Sequence, residues 1–295
     1  MEYTFVIADV FTDTPFGGNQ LAVFPDARGL SEHQMQDLAR EFGFSETTFA
    51  FPPENPDHTR RLRIFTPSNE LPFAGHPTVG TASVLAAGGF VEMTASETTL
   101  ILEENVGPIA VQINGTYSRL ISNAAFRRPA ERPTPRAVAA ALSLPGDAVR
   151  DCWYGSVGVA FCLVHLASSE AVDRAVIDRA EWSARMADGW SPHLFVFAGD
   201  LGNGSTLHAR MFAPALGIEE DPATGSAAAA LVASLVQHPT HDDTDFHLRI
   251  DQGIRMGRPS RIDASAHRRS GQFSHVTIGG HTTVIGQGVI SLPGR

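Results

Sequence analysis

The chain has 295 residues, 43% hydrophobic and 18% charged, with a formal net charge of -10 at neutral pH. At ~150 residues per domain that length accommodates two domains, each with a sizeable core. The acidic balance, with no basic run longer than pairs such as Arg60-Arg61 and Arg268-Arg269, argues against nucleic acid or an anionic membrane as partner and leaves small molecules.

The opening MEYTFVIADV lacks a positive n-region and its apolar run is only strand-length, so no signal peptide is expected and a cytoplasmic location is the default. Tyr3 to Phe11 reads as a strand, followed by a Pro/Gly turn carrying Asn19 and a second strand at Leu21 to Phe24. Leu30, Ser31 and Gln34 form a staple and capping box for an amphipathic helix ending near Phe42. Glu46 follows, an isolated acid among Phe42, Phe44 and Phe49 at the start of a strand. A carboxylate there either points to water or is held in an apolar setting with a raised pKa, poised as an acid/base.

Arg61 to Thr66 reads as a strand leading into ELPFAGHPTVGTASVL, residues 70 to 85. Its helix begins near Pro77, with His76 at the cap, and stops at Gly88-Gly89. Strands at Thr98 to Glu103 and Ile109 to Ile113 come next, and the Arg/Pro-rich run from Arg127 to Pro135 links to a short helix ending near Leu142. Val157 to Leu166 reads as a buried strand and Glu170 to Met186 as one helix. Leu194 to Phe197 and Thr206 to Phe212 form a hairpin, whose Asn203-Gly204 marks a turn and not a phosphate loop.

That hairpin leads to DPATGSAAAALVASLV, Asp221 to Val236, the most apolar helix of the chain. A helix apolar all round belongs in an interior, and ten to twelve residues fall short of the ~20 needed to cross a bilayer. The polar start, with Asp221, Thr224, Gly225 and Ser226, puts hydroxyls and free N–H groups at one mouth, suited to an anion. After Asp245 come closely spaced strands, FHLRIDQGIRMGRPSRI, HVTIGG and TTVIGQGVISL, separated by Gly turns, the last returning to the first domain. His238, His241, Asp242, Asp243 and His247 have no established ligand spacing, so no metal is expected there. Cys152 and Cys162, the only cysteines, read as strand core.

The two helix-bearing stretches are copies. Glu70, Pro72, Gly75 and His76 match Glu220, Pro222, Gly225 and Ser226, and upstream RIFTP at residues 63 to 67 matches RMFAP at residues 210 to 214. Two like units imply two like domains, each an α+β unit with a sheet around its own apolar helix, with both mouths facing the seam and gripping one anionic ligand. The expected division is residues 1–125 plus about 284–295, and residues 126–283.

TPFGGNQLAVF, GFSETTF, RIFTPSNELPFAGHPTVG, EEDPATGSAAAAL and QGIRMGRPSRI, in that order, resemble the phenazine-biosynthesis PhzF-like family, within the diaminopimelate epimerase fold. The resemblance implies two pseudo-symmetric domains, each a curled, mostly antiparallel sheet or barrel around a central helix, with a cleft site and a homodimer. It implies Glu46 as the acid/base, with His76, Asp221 and Ser226 around the substrate and Asn19 and Gly75 and Gly225 near it. One departure is Gln20, where the family usually has Pro after Gly-Asn. Racemases of this fold use a thiol from each half, and neither helix mouth here contains Cys.

The expected function is therefore a cofactor-free isomerase that shifts a proton, as isomerisation or epimerisation, within a small carboxylic acid through a single Glu. No lysine is present, since all 22 Lys+Arg residues are Arg, so a pyridoxal phosphate Schiff base and a GxxxxGK[ST] loop are excluded. Two alternatives stand beside it: a metabolite-binding protein without turnover on the same fold, and a hydrolase using Ser226. The latter lacks a GxSxG elbow.

Overall fold

The structure is a computed structural model that describes residues 1–93, 95–237 and 243–292. It divides into two compact units, Met1–Ser122 with Gly279–Arg295, and Asn123–Ile278. The fold is α+β and strand-rich, as the sequence predicts. No helix among the described residues is long and apolar enough to cross a membrane.

The first unit contains β1 (Glu2–Val10), β2 (Asn19–Phe24), α1 (Glu32–Phe42), β3 (Glu46–Phe51), β4 (Arg60–Phe65), β5 (Glu70–Leu71), α2 (Gly75–Ala87), β6 (Glu97–Glu104), β7 (Gly107–Asn114) and β8 (Tyr117–Ser122). The second contains β9 (Phe126–Arg127), α3 (Pro135–Ala141), β10 (Val149–Val157), β11 (Val159–Leu166), α4 (Ser169–Arg174), α5 (Arg179–Arg185), β12 (Leu194–Ala198), β13 (Ser205–Ala213), β14 (Ile218–Asp221), α6 (Gly225–Leu235), β15 (Thr244–Gln252) and β16 (Ser260–Arg269). β17 (Gln272–Ser291) contributes to both.

In the first unit β1 pairs with β2, β2 with β3, β3 with β4, β4 with β6, β6 with β7, β7 with β8, β8 with β17, and β17 returns to β1. The ring is closed, so these strands leave no open edge. Inside it lies α2, packed on β1, β2, β3, β7 and β8 and buried from His76 to Leu85. A helix this short is marginal alone in water, so its apolar burial makes it stable. Its hydroxyls are paired as burial requires, Thr81 with Thr48 at 2.8 Å and Ser83 with Ser118 at 2.6 Å. α1 packs outside on a separate cluster with Phe24, Phe49 and Phe65, capped by Ser31 and Gln34 and ended by Gly43 in the left-handed region at φ 66°.

The second unit repeats the scheme. β9 pairs with β10, β10 with β11, β11 with β12, β12 with β13, β13 with β15 and β15 with β16, and α6 packs on β10, β11, β15 and β16. The parallel pairs fall at corresponding places, β2 with β3 and β4 with β6 in one unit, β11 with β12 and β13 with β15 in the other. The copied Arg residues hold the same role: Arg63 pairs Glu70 and lies over Phe65, and Arg210 pairs Glu220 and lies over Phe212. Both cysteines are buried and free.

Two expected elements differ. The single helix over residues 170 to 186 is broken into α4 and α5, because Asp178 turns back to cap the N–H groups of Ala180 and Glu181. The backbone N–H groups of Val176 and Asp178 instead donate to Leu142 and Ala141 at the end of α3. The Gly turn expected between HVTIGG and TTVIG is absent, since β17 runs through it. A Cβ on Gly279 would sit 2.6 Å from the Tyr117 hydroxyl, so glycine there permits close approach to β8. β8 has no counterpart among the elements expected from the sequence, and β10 only the strand-core reading of Cys152.

Candidate active site

Gly43 stops α1, and the chain enters β3 at Glu46, opposite Leu21 of β2. Alternate strand residues share a face. Thr48 bonds Thr81 of α2, so Glu46 also points at α2, toward its N-terminal end. There its Oε2 comes 3.5 Å from His76 Nε2, an electrostatic contact longer than a good hydrogen bond, and has no hydrogen-bond partner. Burial pushes this carboxyl up to about 7, with the Ser45 hydroxyl acting in the opposite direction. Ser45 in turn donates to Asn19 Oδ1 at 3.1 Å, which ties the buried start of β2 to the Glu46 turn.

His76, expected at the cap, is instead the second residue of α2, two positions past the N-cap Ala74, whose methyl group cannot accept the first N–H groups. Pro77 has no N–H, so Gly75 and His76 supply the outward donors of this mouth. Beneath it lies Glu104, which the sequence reading passed over. The Thr78 hydroxyl is 2.7 Å from the Ala74 carbonyl and 2.6 Å from Glu104 Oε1. The Thr78 hydroxyl thus stands as a shared donor to both oxygens, the Ala74 carbonyl and the Glu104 carboxyl. Burial pushes Glu104 up to about 8, with the Thr78 hydroxyl acting in the opposite direction, so the carboxyl is mostly neutral at pH 7. The adjacent acids Glu103 and Glu104 hold the clue: on one strand they face opposite ways, so one must point inward. Glu103 faces out, accepting from the N–H groups of Glu54 and Asn55.

In the second unit, Asp221 ends β14 and accepts from the Thr224 hydroxyl. Gln252, within the QGIRMGRPSRI stretch, fixes the turn: its Nε2 donates to the Asp221 carbonyl at 2.7 Å and to Thr224 Oγ1 at 3.0 Å, and its Oε1 accepts from the Thr224 N–H. Gly253 follows at φ 74°, where a Cβ would meet the Arg258 and Pro222 carbonyls at 2.4 and 2.6 Å. Gly225 and Ser226 are the first residues of α6, with N–H groups that have no acceptor within the helix. The structure thus brings Asn19, Glu46, Gly75 and His76 together in one unit, and Asp221, Gly225 and Ser226 together in the other.

Of the His/Asp-rich link, His238, His241 and Asp242 lie outside the described residues. Among the described residues no group of three or more His, Cys, Asp or Glu could hold a metal ion. A groove of about 460 Å³ lined by Arg128, Arg132, Trp153, His165 and Ser234 lies at the opposite end of α6 and includes no residue of either mouth.

Residues 8–288 match the family described as phenazine biosynthesis-like protein, PhzC-PhzF. An uncharacterized isomerase from Mesorhizobium japonicum is 37% identical over 297 residues, covering 96% of this chain and 97% of the relative. A trans-2,3-dihydro-3-hydroxyanthranilate isomerase from Pseudomonas chlororaphis is 35% identical, with 98% and 99% covered. The crystal structure of a PhzF-family phenazine biosynthesis protein from Bacillus anthracis has the same fold, with a TM-score of 0.84 at 23% identity over 99% of this chain and 100% of that one. A match across nearly the whole chain, joined to isomerase relatives above 30% identity, means that this chain belongs to the phenazine biosynthesis-like PhzC-PhzF family and is an isomerase.

Proposed function

We propose that this isomerase moves a proton between carbons of a small carboxylic acid, or between faces of one carbon, with Glu46 as the single acid/base and no cofactor. The observation that carries the reading is the Glu46 carboxyl itself: buried, lacking a hydrogen-bond partner on Oε2, and held at about 7. An acid/base works best when its pKa lies near the working pH, and this group holds or releases a proton there. The ionised carboxylate removes a proton from an activated C–H, and the electron pair moves into the adjoining unsaturated system. The protonated form then returns that proton to carbon, which restores the carboxylate.

His76, beside Glu46, supports charge as it builds, and the donors at Gly75 and at Gly225-Ser226 suit a carboxylate. Asn19 fixes the Glu46 turn through Ser45, and Asp221 fixes the second mouth through Thr224. The protein is proposed to act as a homodimer, without a nucleic-acid or membrane partner; light scattering checks the dimer.

The acid named for the Pseudomonas relative, trans-2,3-dihydro-3-hydroxyanthranilate, is the first substrate to try, followed by other small unsaturated carboxylic acids. Turnover followed by proton NMR, lost in Glu46→Gln with ligand binding kept, supports the reading. Tight binding of these acids without turnover by the wild type favours the metabolite-binding alternative.

A further inference from the structure

The strand registers of the two units correspond residue by residue. In the first, Phe65 of β4 pairs with Thr47 of β3, and Thr47 pairs with Ala22 of β2. In the second, Phe212 of β13 pairs with Leu194 of β12, and Leu194 pairs with Cys162 of β11. Phe65 and Phe212 close the repeated Arg-x-Phe runs. Leu194 therefore corresponds to Thr47, and the residue before it, His193, corresponds to Glu46.

The facing agrees. Leu194, Val196 and Ala198 pack into the outer cluster with residues of α3 and α4, so residues of the other parity on β12 face α6. The His193 ring lies 6.2 Å from that of Phe161, which pairs with Gly155, and a Cβ on Gly155 would stand 3.5 Å from the Ala230 carbonyl of α6. Its Nδ1 is buried with no hydrogen-bond partner. Desolvation holds the imidazole below the usual histidine range, so it is neutral near pH 7 with one nitrogen able to donate. A buried polar atom left unpaired is costly and is rare where nothing comes to meet it.

We infer that His193 is a specificity-determining contact at the second mouth, placed beside Gly225-Ser226 as Glu46 is placed beside Gly75-His76, where its imidazole donates to a carboxylate oxygen of the bound acid. The inference rests on the reading that the mouths bind a small carboxylic acid. It adds a side-chain donor to backbone donors that would accept any anion. The site's preference among acids would then depend on a residue outside both copied loops. The asymmetry is chemical: a group that can take a proton from carbon stands at one mouth, and a neutral hydrogen-bond donor at the other.

The test uses 3-hydroxyanthranilate, an aromatic carboxylate related to the acid named for the Pseudomonas relative, as a binding probe in calorimetry. Wild type and Glu46→Gln should bind it alike. His193→Ala should weaken binding roughly ten- to a hundredfold, the range for a hydrogen bond to a charged group. His193→Asn, which keeps an N–H donor, should recover part of that loss. With a turned-over substrate the two His193 variants should raise KM and leave kcat within a few-fold. If His193→Ala does not fold, ¹⁵N-histidine spectra of the wild type replace it: the His193 ring nitrogens should shift on adding the probe. Unchanged affinity in a folded His193→Ala, or unmoved ring nitrogens in a protein that binds the probe, overturns the inference and leaves the proposed function standing. Failure of wild type and Glu46→Gln alike to bind the probe counts against the carboxylate reading and this inference together.

Discussion

The two copied helix units use the same supports and differ at the helix mouths, where the proposed chemistry lies. Each has an Arg that pairs a Glu and covers a Phe, Arg63 with Glu70 and Phe65, and Arg210 with Glu220 and Phe212. Each has a glycine at the close approach of helix and barrel wall, but on opposite partners: Gly80 on the helix of the first unit, Gly155 on the strand of the second. At the mouths they part. The first has Glu46 against His76, over a neutral Glu104; the second has Asp221, Thr224 and Gln252 locked in hydrogen bonds. Register places Asp251 opposite His208 as Glu103 stands opposite Arg61, so the next residues, Gln252 and Glu104, occupy corresponding places at the strand ends beneath their helices. A duplicated scaffold sets both mouths, and in the proposed function the differences between them divide proton transfer from binding.

The largest expected effect breaks that separation at its centre. Glu46→Gln keeps shape and loses the transferable proton, so turnover should fall by ~10² to 10⁴ with ligand affinity nearly unchanged, whereas Ser226→Ala should act mainly on KM. If the ionised carboxylate starts the reaction, wild-type kcat/KM should rise with pH through about 7, the value to which burial lifts Glu46. Steady-state kinetics against pH checks both.

Stability should distinguish the copied ion pairs. Arg210 also donates to the carbonyls of Val172, Asp173 and Ala175, and removing it strands these with Glu220. Arg210→Ala should cost roughly 3–5 kcal/mol in denaturant unfolding. Arg63→Ala should cost less, because Glu70 and Glu32 reach water more readily, with side-chain exposures of 22% and 74%.

Glu104→Gln tests the neutral acid beneath the first mouth. Its folded pKa is raised from 4.5 to about 8, so the folded state holds the proton more tightly than the unfolded one. That contribution is complete below about 4.5 and is lost as pH rises through about 8. The groups around it do not reverse the sign: α2 offers His76, β4 offers Arg61 and Arg63 already paired with Glu54 and Glu70, and β6 offers Glu103, which faces away toward His58. Wild type should therefore lose about 2 kcal/mol or more between pH 6 and pH 9 that Glu104→Gln does not lose.

The smallest effect compares the two glycines. A Cβ on Gly80 would stand 2.4 Å from Val10 Cγ2 and 2.7 Å from Leu21 Cδ2, while one on Gly155 would meet its neighbours at 3.1 to 3.5 Å. Gly80→Ala should cost roughly 1–2 kcal/mol through overpacking and Gly155→Ala less than 1 kcal/mol, measured by thermal unfolding.

Much of this plan was legible in the chain. The Ser31-Gln34 capping box, both apolar helices and the Arg-x-Phe repeat are local patterns, and the structure contains each of them. Glu46 stood out because it is a lone acid among phenylalanines. What stayed hidden depends on pairing between distant strands. Tyr117–Ser122 becomes recognisable as a strand only by its partners, the bounds of Val149–Val157 around Cys152 are set by β11, and β17 runs straight through a Gly-Gly that reads locally as a turn. Glu104 and Gln252 act across about 26 to 31 residues of sequence on Thr78, Thr224 and Asp221, so spacing alone does not disclose them. His193 lies in a Ser-Pro-His run whose meaning comes from register with Glu46. Asp178 broke an expected helix because its cap competes with continuation, a choice settled by where Val176 and Asp178 find carbonyls on α3.

The central claim is that the proton travels through the first mouth alone. Its most direct test is isotope exchange: turnover in D₂O, with deuterium at substrate carbon read by NMR, for wild type, Glu46→Gln and Ser226→Ala. A carboxylate that holds the proton between two steps can exchange it with solvent, so wild type and Ser226→Ala should both place deuterium on carbon at saturating substrate, and Glu46→Gln should place none above background. Deuterium incorporation by Glu46→Gln at the wild-type rate would contradict the account and remove Glu46 from the mechanism.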